Sequence, residues 1–360
     1  MTAAERRKEE PGLLLLLNSM AHLLVDGLCA AVLFRPVWAA CADSKLRMLE
    51  MILLYNTLAF STQCVVGQAA DRLRRHSLAA SLSMLLIVLG FALPLGLVFR
   101  VCLVGMGNSV FHVAGGVMTL ERCEDKAGKL GVFVAPGAIG LTLGSLWPRL
   151  GTLFAILLAL CAFAVIPLEK RSPAPPKKQR DSGERQPLLV PLLLAMAVGI
   201  RALGGSVVSF PWNGSAAAAL LLSACVFAGK TAGGFLCDNI GAKRTAAVSM
   251  LSAAILIAFC SAWEIPSLIG QLLLNLSMPI TLLLIYRAMP EAPGFSFGLA
   301  ASFLWPGTIL GRFLNQAGTQ PQILVLITFL FGLAGILWAE KRLKNHNHRE
   351  NQNGIERSTF

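Results

Sequence analysis

Long apolar runs separated by short polar breaks dominate the chain. Twelve of them are long enough to cross a bilayer as helices, at roughly residues 12–34, 47–67, 77–94, 97–119, 130–147, 150–168, 188–210, 215–236, 245–263, 265–287, 294–314 and 321–339. The breaks at Pro94-Leu95-Gly96 and at Glu264 to Pro266 are so short that the helices they join form antiparallel hairpins. In the first run Asn18, His22 and Asp26 fall at i, i+4 and i+8, which stacks them on one helix face. A carboxylate facing lipid at that depth costs several kcal/mol, so Asp26 is expected to face protein or a wet cavity.

The longest polar interruption, Glu169 to Pro187, holds Pro173, Pro175, Pro176 and six Lys or Arg residues. It has the composition of a flexible linker. The expected organisation is a six-helix bundle at 1–168, a linker at 169–187, a second six-helix bundle at 188–339 and a polar tail at 340–360. The halves echo each other. Gly67, Asp71, Arg72 and Arg75 follow the second run, and Gly234, Asp238, Gly241, Lys243 and Arg244 follow the eighth, at an offset of 167. A second echo sets Pro136-Gly137 against Pro306-Gly307 at an offset of 170, followed by Gly140 and Gly311 at 171. Two matches at nearly one offset predict a duplicated six-helix unit.

Composition agrees: 55% of the residues are hydrophobic and 14% are charged, against about 25% charged in soluble domains. The net charge of +12 is scattered over short loops, the linker and the tail, which argues for topology rather than a nucleic-acid patch. With the N-terminus cytoplasmic, 23 Lys and Arg residues fall on the cytoplasmic side and 6 on the other, while Arg201 and Lys230 lie inside runs. Both termini are therefore expected in the cytoplasm of a cell (inner or plasma) membrane protein. The basic start followed by Leu13 to Leu17 is expected to be an uncleaved first helix, because the run continues past signal-peptide length. The nine Cys residues show no Cys-x-x-Cys and mostly sit inside apolar runs as small hydrophobes.

In the fourth run Asn108 and His112 also share a face. A His titrates near neutrality, so with Asp26 the set suits a group that loads a proton on one side and releases it on the other. The competing role is a polar network that only fixes helix packing. Arg201, mid-way through the seventh run, needs a partner, either an anionic group on a substrate, Asp26 across the centre, or a local ion pair. Asn275, Asn56 and Gln63 are weaker binding candidates, each as apt to bond a neighbouring helix. Trp212 has the place of an interfacial anchor. Gly140/Gly144, Gly229/Gly233 and Gly307/Gly311 form Gly-x-x-x-Gly pairs that let helix backbones approach. No P-loop, His-Glu-x-x-His or serine-nucleophile motif is present, so no enzyme activity, cofactor or metal is expected. The His346-x-His348 pair falls in a tail expected to be disordered.

Twelve runs in two halves, the basic linker and the Gly67-x-x-x-Asp71-Arg72-x-x-Arg75 loop resemble the major facilitator superfamily. The His22-x-x-x-Asp26 and Gly105-x-Gly107-x-x-x-Phe111-His112 patterns narrow the resemblance to its fosmidomycin-resistance-like branch, with Val113 where that branch has Pro. The fifth-helix antiporter signature is only partly matched, since Pro136 precedes Gly137. The resemblance implies an all-α membrane fold of two pseudo-symmetric bundles with a central cavity lined by the first, fourth, seventh and tenth helices. It implies that Asp71, Asp238 and the basic residues beside them form charge networks that break as the halves rock. It also implies that the fifth, eighth and eleventh helices meet across the halves. The expected function is a secondary active transporter of a small molecule, proton-coupled, with drug or metabolite efflux as the branch's direction. A membrane sensor or scaffold on the same fold, and an intramembrane enzyme with a metal at His22, Asp26 and His112, are the alternatives.

Overall fold

A computed structural model describes residues 3–171, 188–317 and 321–358, with backbone alone at 3–11, 171 and 347–358. Twelve apolar helical segments follow one another: α1 Gly12–Ala40, α2 Lys45–Leu73, α3 His76–Ala92, α4 Leu97–Leu120, α5 Ala127–Leu146, α6 Pro148–Lys170, α7 Leu189–Ser206, α8 Ala216–Ile240, α9 Ala242–Cys260, α10 Glu264–Ala288, α11 Pro293–Gln316 and α12 Pro321–His346. Eleven are long and apolar enough to span a bilayer, and α3, at 17 residues, is shorter. The helix is the one open-chain structure that satisfies its own backbone in hydrocarbon, and the described residues contain no strand. Side chains such as Leu16, Phe99, Phe163, Ile255 and Ile323 point outward, where lipid rather than water meets them. The chain is an integral membrane protein.

Local chemistry sets the ends and breaks. Ser44 and Ser215 accept hydrogen bonds from Arg47 N (3.2 Å) and Ala218 N (3.1 Å), capping α2 and α8. Helix α8 stops at Gly241, whose φ of +87° a Cβ would strain. Its counterpart 167 positions earlier, Arg74, ends α2 with φ 51°. Helix α1 passes through a π segment at Leu33–Val37 around Pro36, which has no N–H to donate, and α2 through another at Thr57–Ser61. Helix α5 breaks at Ala135 just before Pro136, and α11 breaks at Phe303.

In the first half α1 packs on α5 and α6, and α3 on α4 and α6. In the second, α7 packs on α11 and α12, α9 on α10 and α12, and α8 on α10. The halves meet through α2 against α11 and α5 against α8. One apolar core joins residues of α1 to α4 and α6; a second joins α7 to α12 and takes in Ala127, Leu130 and Phe133 of α5.

The glycine contacts repeat with one register. Gly140 and Gly144 bring α5 onto the carbonyls of Leu23 and Gly27 in α1, and Gly307 and Gly311 bring α11 onto those of Gly199 and Leu203 in α7. These pairs are 167 positions apart, so the register is that of the Asp71 and Asp238 motifs. The expected offset of 170 aligned Pro136 with Pro306, whereas the close backbone contacts align Gly140 with Gly307. The three Gly-x-x-x-Gly pairs also work within a half rather than between halves, since Gly229 and Gly233 face Leu272 and Leu276 of α10. The fifth, eighth and eleventh helices do meet across the halves, but through other glycines. Gly67 faces Gly294 and Gly298 faces Gln63, while Gly234 faces Ala127 and Gly131 faces Lys230, again 167 apart.

Two other boundaries differ from expectation. The helix carrying α6 continues past Pro167 to Arg171, into the segment assigned to the linker. The helix carrying α12 runs from Pro321 to Ser358, so the tail backbone is helical rather than disordered. No Pro or Gly interrupts residues 339–353, and Lys344 pairs with Glu340 at 2.8 Å one turn back. The linker at 172–187 and the His348 side chain lie outside the described residues.

Candidate functional site

Four residues singled out in the sequence meet in the middle of the first half. His22 and Asp26 come from α1, and Asn108 and His112 from α4. The His22 and His112 rings lie edge to face with centroids 4.4 Å apart and their Nε2 atoms 2.8 Å apart. The Asp26 carboxylate spans both, with Oδ2 3.3 Å from His22 Nε2 and Oδ1 3.6 Å from His112 Nε2. Asn108 donates from Nδ2 to Asp26 Oδ1 at 3.1 Å. His22 is 5% exposed, His112 6% and Asn108 0%, while the Asp26 side chain keeps 19%. Phe111 and Phe133 wall the rings.

Main-chain carbonyls orient both imidazoles. His22 Nδ1 lies 2.8 Å from Phe133 O, and His112 Nδ1 lies 2.9 Å from Asn108 O. The Phe133 carbonyl is presented at the end of the first piece of α5, next to the break before Pro136. The break also brings Gly137 against the cluster, where an added Cβ would meet Asp26 Oδ2 and His22 Nε2. Helix propensity alone makes Gly137→Ala stabilising by up to about 1 kcal/mol. The contact predicts the reverse: a lower melting temperature, since overpacking costs about 1–3 kcal/mol. Thermal unfolding of the purified variant beside the parent checks this.

The nitrogen and oxygen atoms of His22, Asp26 and His112 all lie within 4.8 Å of one another, a grouping that a metal ion also uses. Ligand atoms around tetrahedral zinc stand about 3.3 Å apart, from Zn–N bonds of about 2.0–2.1 Å. The 2.8 Å between the two Nε2 atoms is instead a hydrogen-bond distance.

The other candidates separate from this cluster. Asn18, on the same face of α1, lies a full turn away in a small pocket lined by Leu14, Leu15, Met118, Thr119, Arg122 and Lys129, with its Oδ1 unbonded. The stripe therefore divides. Two turns of helix carry Asn18 past the reach of Asp26, although they share a face. Arg201 does not pair with Asp26 and makes no carboxylate ion pair among the described residues. It is 4% exposed and donates to Ser277 Oγ (2.6 Å) and Thr281 Oγ1 (3.3 Å), with Met278 Sδ at 2.6 Å. Asn275, Asn56 and Gln63 bond the carbonyl one turn back in their own helices. Trp212 packs against Phe210 with the rings tilted at 44° and centroids 5.6 Å apart, and its Nε1 is buried.

Lys230 was legible only as a charge inside the eighth run. Its Nζ lies 3.3 Å from the carbonyl of Val134, next to the Phe133 that holds His22. There it is within electrostatic range of Asp26, His112 and Arg201. It is a second-half residue in electrostatic range of the first-half cluster. The signal that could have found it is the cost of an unpaired ammonium mid-span.

The repeated motifs form matched contacts at the N-terminal face. Asp71 accepts from Gly294 N (2.7 Å) and Phe295 N (2.8 Å) at the start of α11. Asp238 accepts from Ala127 N (2.7 Å) and Gly128 N (2.9 Å) at the start of α5. Each carboxylate sits in one half and caps a helix of the other, where free N–H groups and the helix dipole favour an anion. Arg72, Arg75, Lys243 and Arg244 follow these carboxylates in the sequence, and among the described residues the carboxylates bond main-chain N–H groups. A third link joins Arg287 to Asp125, with Nε–Oδ1 at 2.7 Å and Nη2–Oδ2 at 3.1 Å. In the same loop a hydrogen bond from Lys129 holds the Glu124 carboxyl below its usual range.

No protein-family model matches the sequence, and no curated protein does either. Solved structures do. The crystal structure of the major facilitator superfamily transporter FucP in its outward conformation aligns with a TM-score of 0.64 at 14% identity, covering 91% of this chain and 98% of that one. A variant of the E. coli fucose:proton symporter FucP aligns with a TM-score of 0.64 at 13% identity, covering 92% and 98%. At that identity the likeness concerns architecture. Two six-helix halves joined through α2 with α11 and α5 with α8, on the same scaffold as these transporters over nine-tenths of the chain, give this protein the major facilitator superfamily fold.

Proposed function

We propose that the chain is a secondary active transporter that moves a small molecule across the membrane by alternating access, coupled to protons. The observation that carries this reading is the ionisable set mid-span: buried His22 and His112 with half-buried Asp26 in one half, and buried Arg201 with half-buried Lys230 in the other. Ionisable groups at such depth are costly and characteristically serve ion or substrate pathways. A scaffold has no use for them, and an enzyme would need a reacting centre that these residues do not supply. Asp26, His22 and His112 carry the proton. Arg201 and Lys230 receive an anionic group of the substrate, with Asn108 and Asn275 on the flanking helices. FucP, by its name a fucose:proton symporter, lends the proton coupling a parallel. Drug or metabolite efflux is the direction that the likeness of His22-x-x-x-Asp26 and Phe111-His112 to the fosmidomycin-resistance-like branch favours.

Residues 1–168 and 188–339 are the two rocking units, with both termini and the linker in the cytoplasm, as the Lys and Arg distribution favours. The caps by Asp71 and Asp238 then close the cytoplasmic side and must open for the opposite state.

The test is a thermal-shift screen of anionic, neutral and cationic metabolites on the purified full chain, followed by flux of the hits in proteoliposomes. Anionic hits are expected to stabilise the parent, and Arg201→Ala to weaken their binding about 10- to 100-fold, the loss of one charge-assisted contact of about 1.5–3 kcal/mol. Hits that bind and never cross the membrane would indicate a sensor instead.

A further inference from the structure

We infer that His22 and His112 together hold a single proton between their Nε2 atoms, so that the imidazole pair, with Asp26 as its counter-ion, is one proton-binding site. The argument starts from acceptors. A main-chain carbonyl has no hydrogen to give, so Nδ1 of His22 bears a proton toward Phe133 O, and Nδ1 of His112 bears one toward Asn108 O. If both rings were neutral, each Nε2 would then present a lone pair, and two lone pairs would face each other at 2.8 Å. That contact repels. One added proton turns it into an N–H···N hydrogen bond of ordinary length. A second added proton would set two cations in contact.

Asp26 completes the balance. Its oxygens lie 3.3 and 3.6 Å from the two Nε2 atoms and Asn108 donates to Oδ1, so as a carboxylate Asp26 sets its charge beside the added proton. The loaded site is therefore an imidazolium–imidazole pair beside a carboxylate, with no net charge. On release the proton leaves Nε2, both Nε2 atoms keep lone pairs, and Asp26 is left with its negative charge. Around the pair stand Asp26 on α1 and the Phe60, Phe111 and Phe133 rings, with Lys230 on α8 in electrostatic range, while Cys29 on α1 and Tyr55 on α2 stand beside Asp26. Lys230 is the cation within range that can answer the charge left on Asp26, and it belongs to the other half. Loss of the proton thus leaves the Asp26 charge beside two neutral rings, with the second-half ammonium of Lys230 in electrostatic range and held by the Val134 carbonyl. The role of the proton in driving transport rests on the function proposed above; its place between the rings does not.

The experiment is nitrogen-15 NMR of the full chain in nanodiscs, labelled at its five histidines and washed with chelator, with single His→Gln variants for assignment. At neutral pH three of the four ring nitrogens of His22 and His112 are expected to be protonated, with one far-downfield proton coupled to both Nε2 signals. In His112→Gln the amide N–H replaces the shared proton as donor to His22. The downfield signal is then expected to vanish, His22 to keep a proton on Nδ1 alone, and the fold to persist. A parent spectrum with Nε2–H and bare Nδ1 on either ring overturns the inference. So does a stoichiometric transition metal that survives the chelator. The parent spectrum decides even if the variant fails to fold. The signal without flux would leave the proton site standing and remove the transporter reading, and flux without the signal would do the opposite.

Discussion

Asp26→Asn is expected to abolish substrate flux driven by a pH gradient, by about a hundredfold or more, while substrate exchange at equal pH and the melting temperature change little. Asn matches Asp in shape and keeps a carbonyl oxygen for the Asn108 donor at 3.1 Å. What it lacks is charge. A buried imidazolium that loses its counter-ion is left with a penalty of about 3–5 kcal/mol, which corresponds to about 10²- to 10⁴-fold lower occupancy of the charged state. The loaded state that carries the proton across is then rarely formed. Exchange needs only substrate binding and rocking, so it survives. Parallel measurements of pH-driven uptake and counterflow in proteoliposomes separate the two. Equal loss of both would show that Asp26 holds the fold or the substrate instead of the proton.

The second large effect is on the balance between conformers. Replacing both Asp71 and Asp238 by Ala removes four carboxylate-to-amide hydrogen bonds that tie each half to a helix start of the other. At about 1.5–3 kcal/mol for a cap that ends in a charge-assisted bond, the two caps together contribute about 3–6 kcal/mol to the state in which the N-terminal face is closed. Inverting a two-state population from 1:99 to 99:1 takes about 5.5 kcal/mol, so the double variant is expected to populate the opened face substantially and either single variant much less. The Arg287 pair with Asp125 remains, but it is mostly exposed and worth at most about 1 kcal/mol. Spin labels placed on the two halves at this face would report the distance. An unchanged distribution in the double variant means that glycine packing, such as Gly67 on Gly294 and Gly234 on Ala127, closes the face without help from the carboxylates.

Much of this molecule follows from one-dimensional pattern. The length of the apolar runs specifies twelve helices, because hydrocarbon leaves an open chain no other way to satisfy its backbone. The i, i+4 spacing of His22 with Asp26 and of Asn108 with His112 specifies two polar faces, because side chains one turn apart stack. The twofold occurrence of Gly-x-x-x-Asp specifies the duplication. Spacing along one helix cannot, however, say which other helix comes opposite. That Asn18 falls out of the cluster, that Arg201 turns to Ser277 and Thr281 rather than to Asp26, and that Lys230 reaches toward Asp26 are outcomes of how α1, α7 and α8 rotate and cross. The Phe133 carbonyl and Gly137 were equally hidden, since one is a main-chain atom and the other has no side chain. Their part in the site exists only where α5 breaks and leans against α1. The sequence alone determined the helices, their duplication and the residues able to carry charge within the membrane, since these depend on local spacing and on the solvent. The tertiary structure alone decided which of those charges meet, because that depends on contacts between segments about 80 to 200 positions apart.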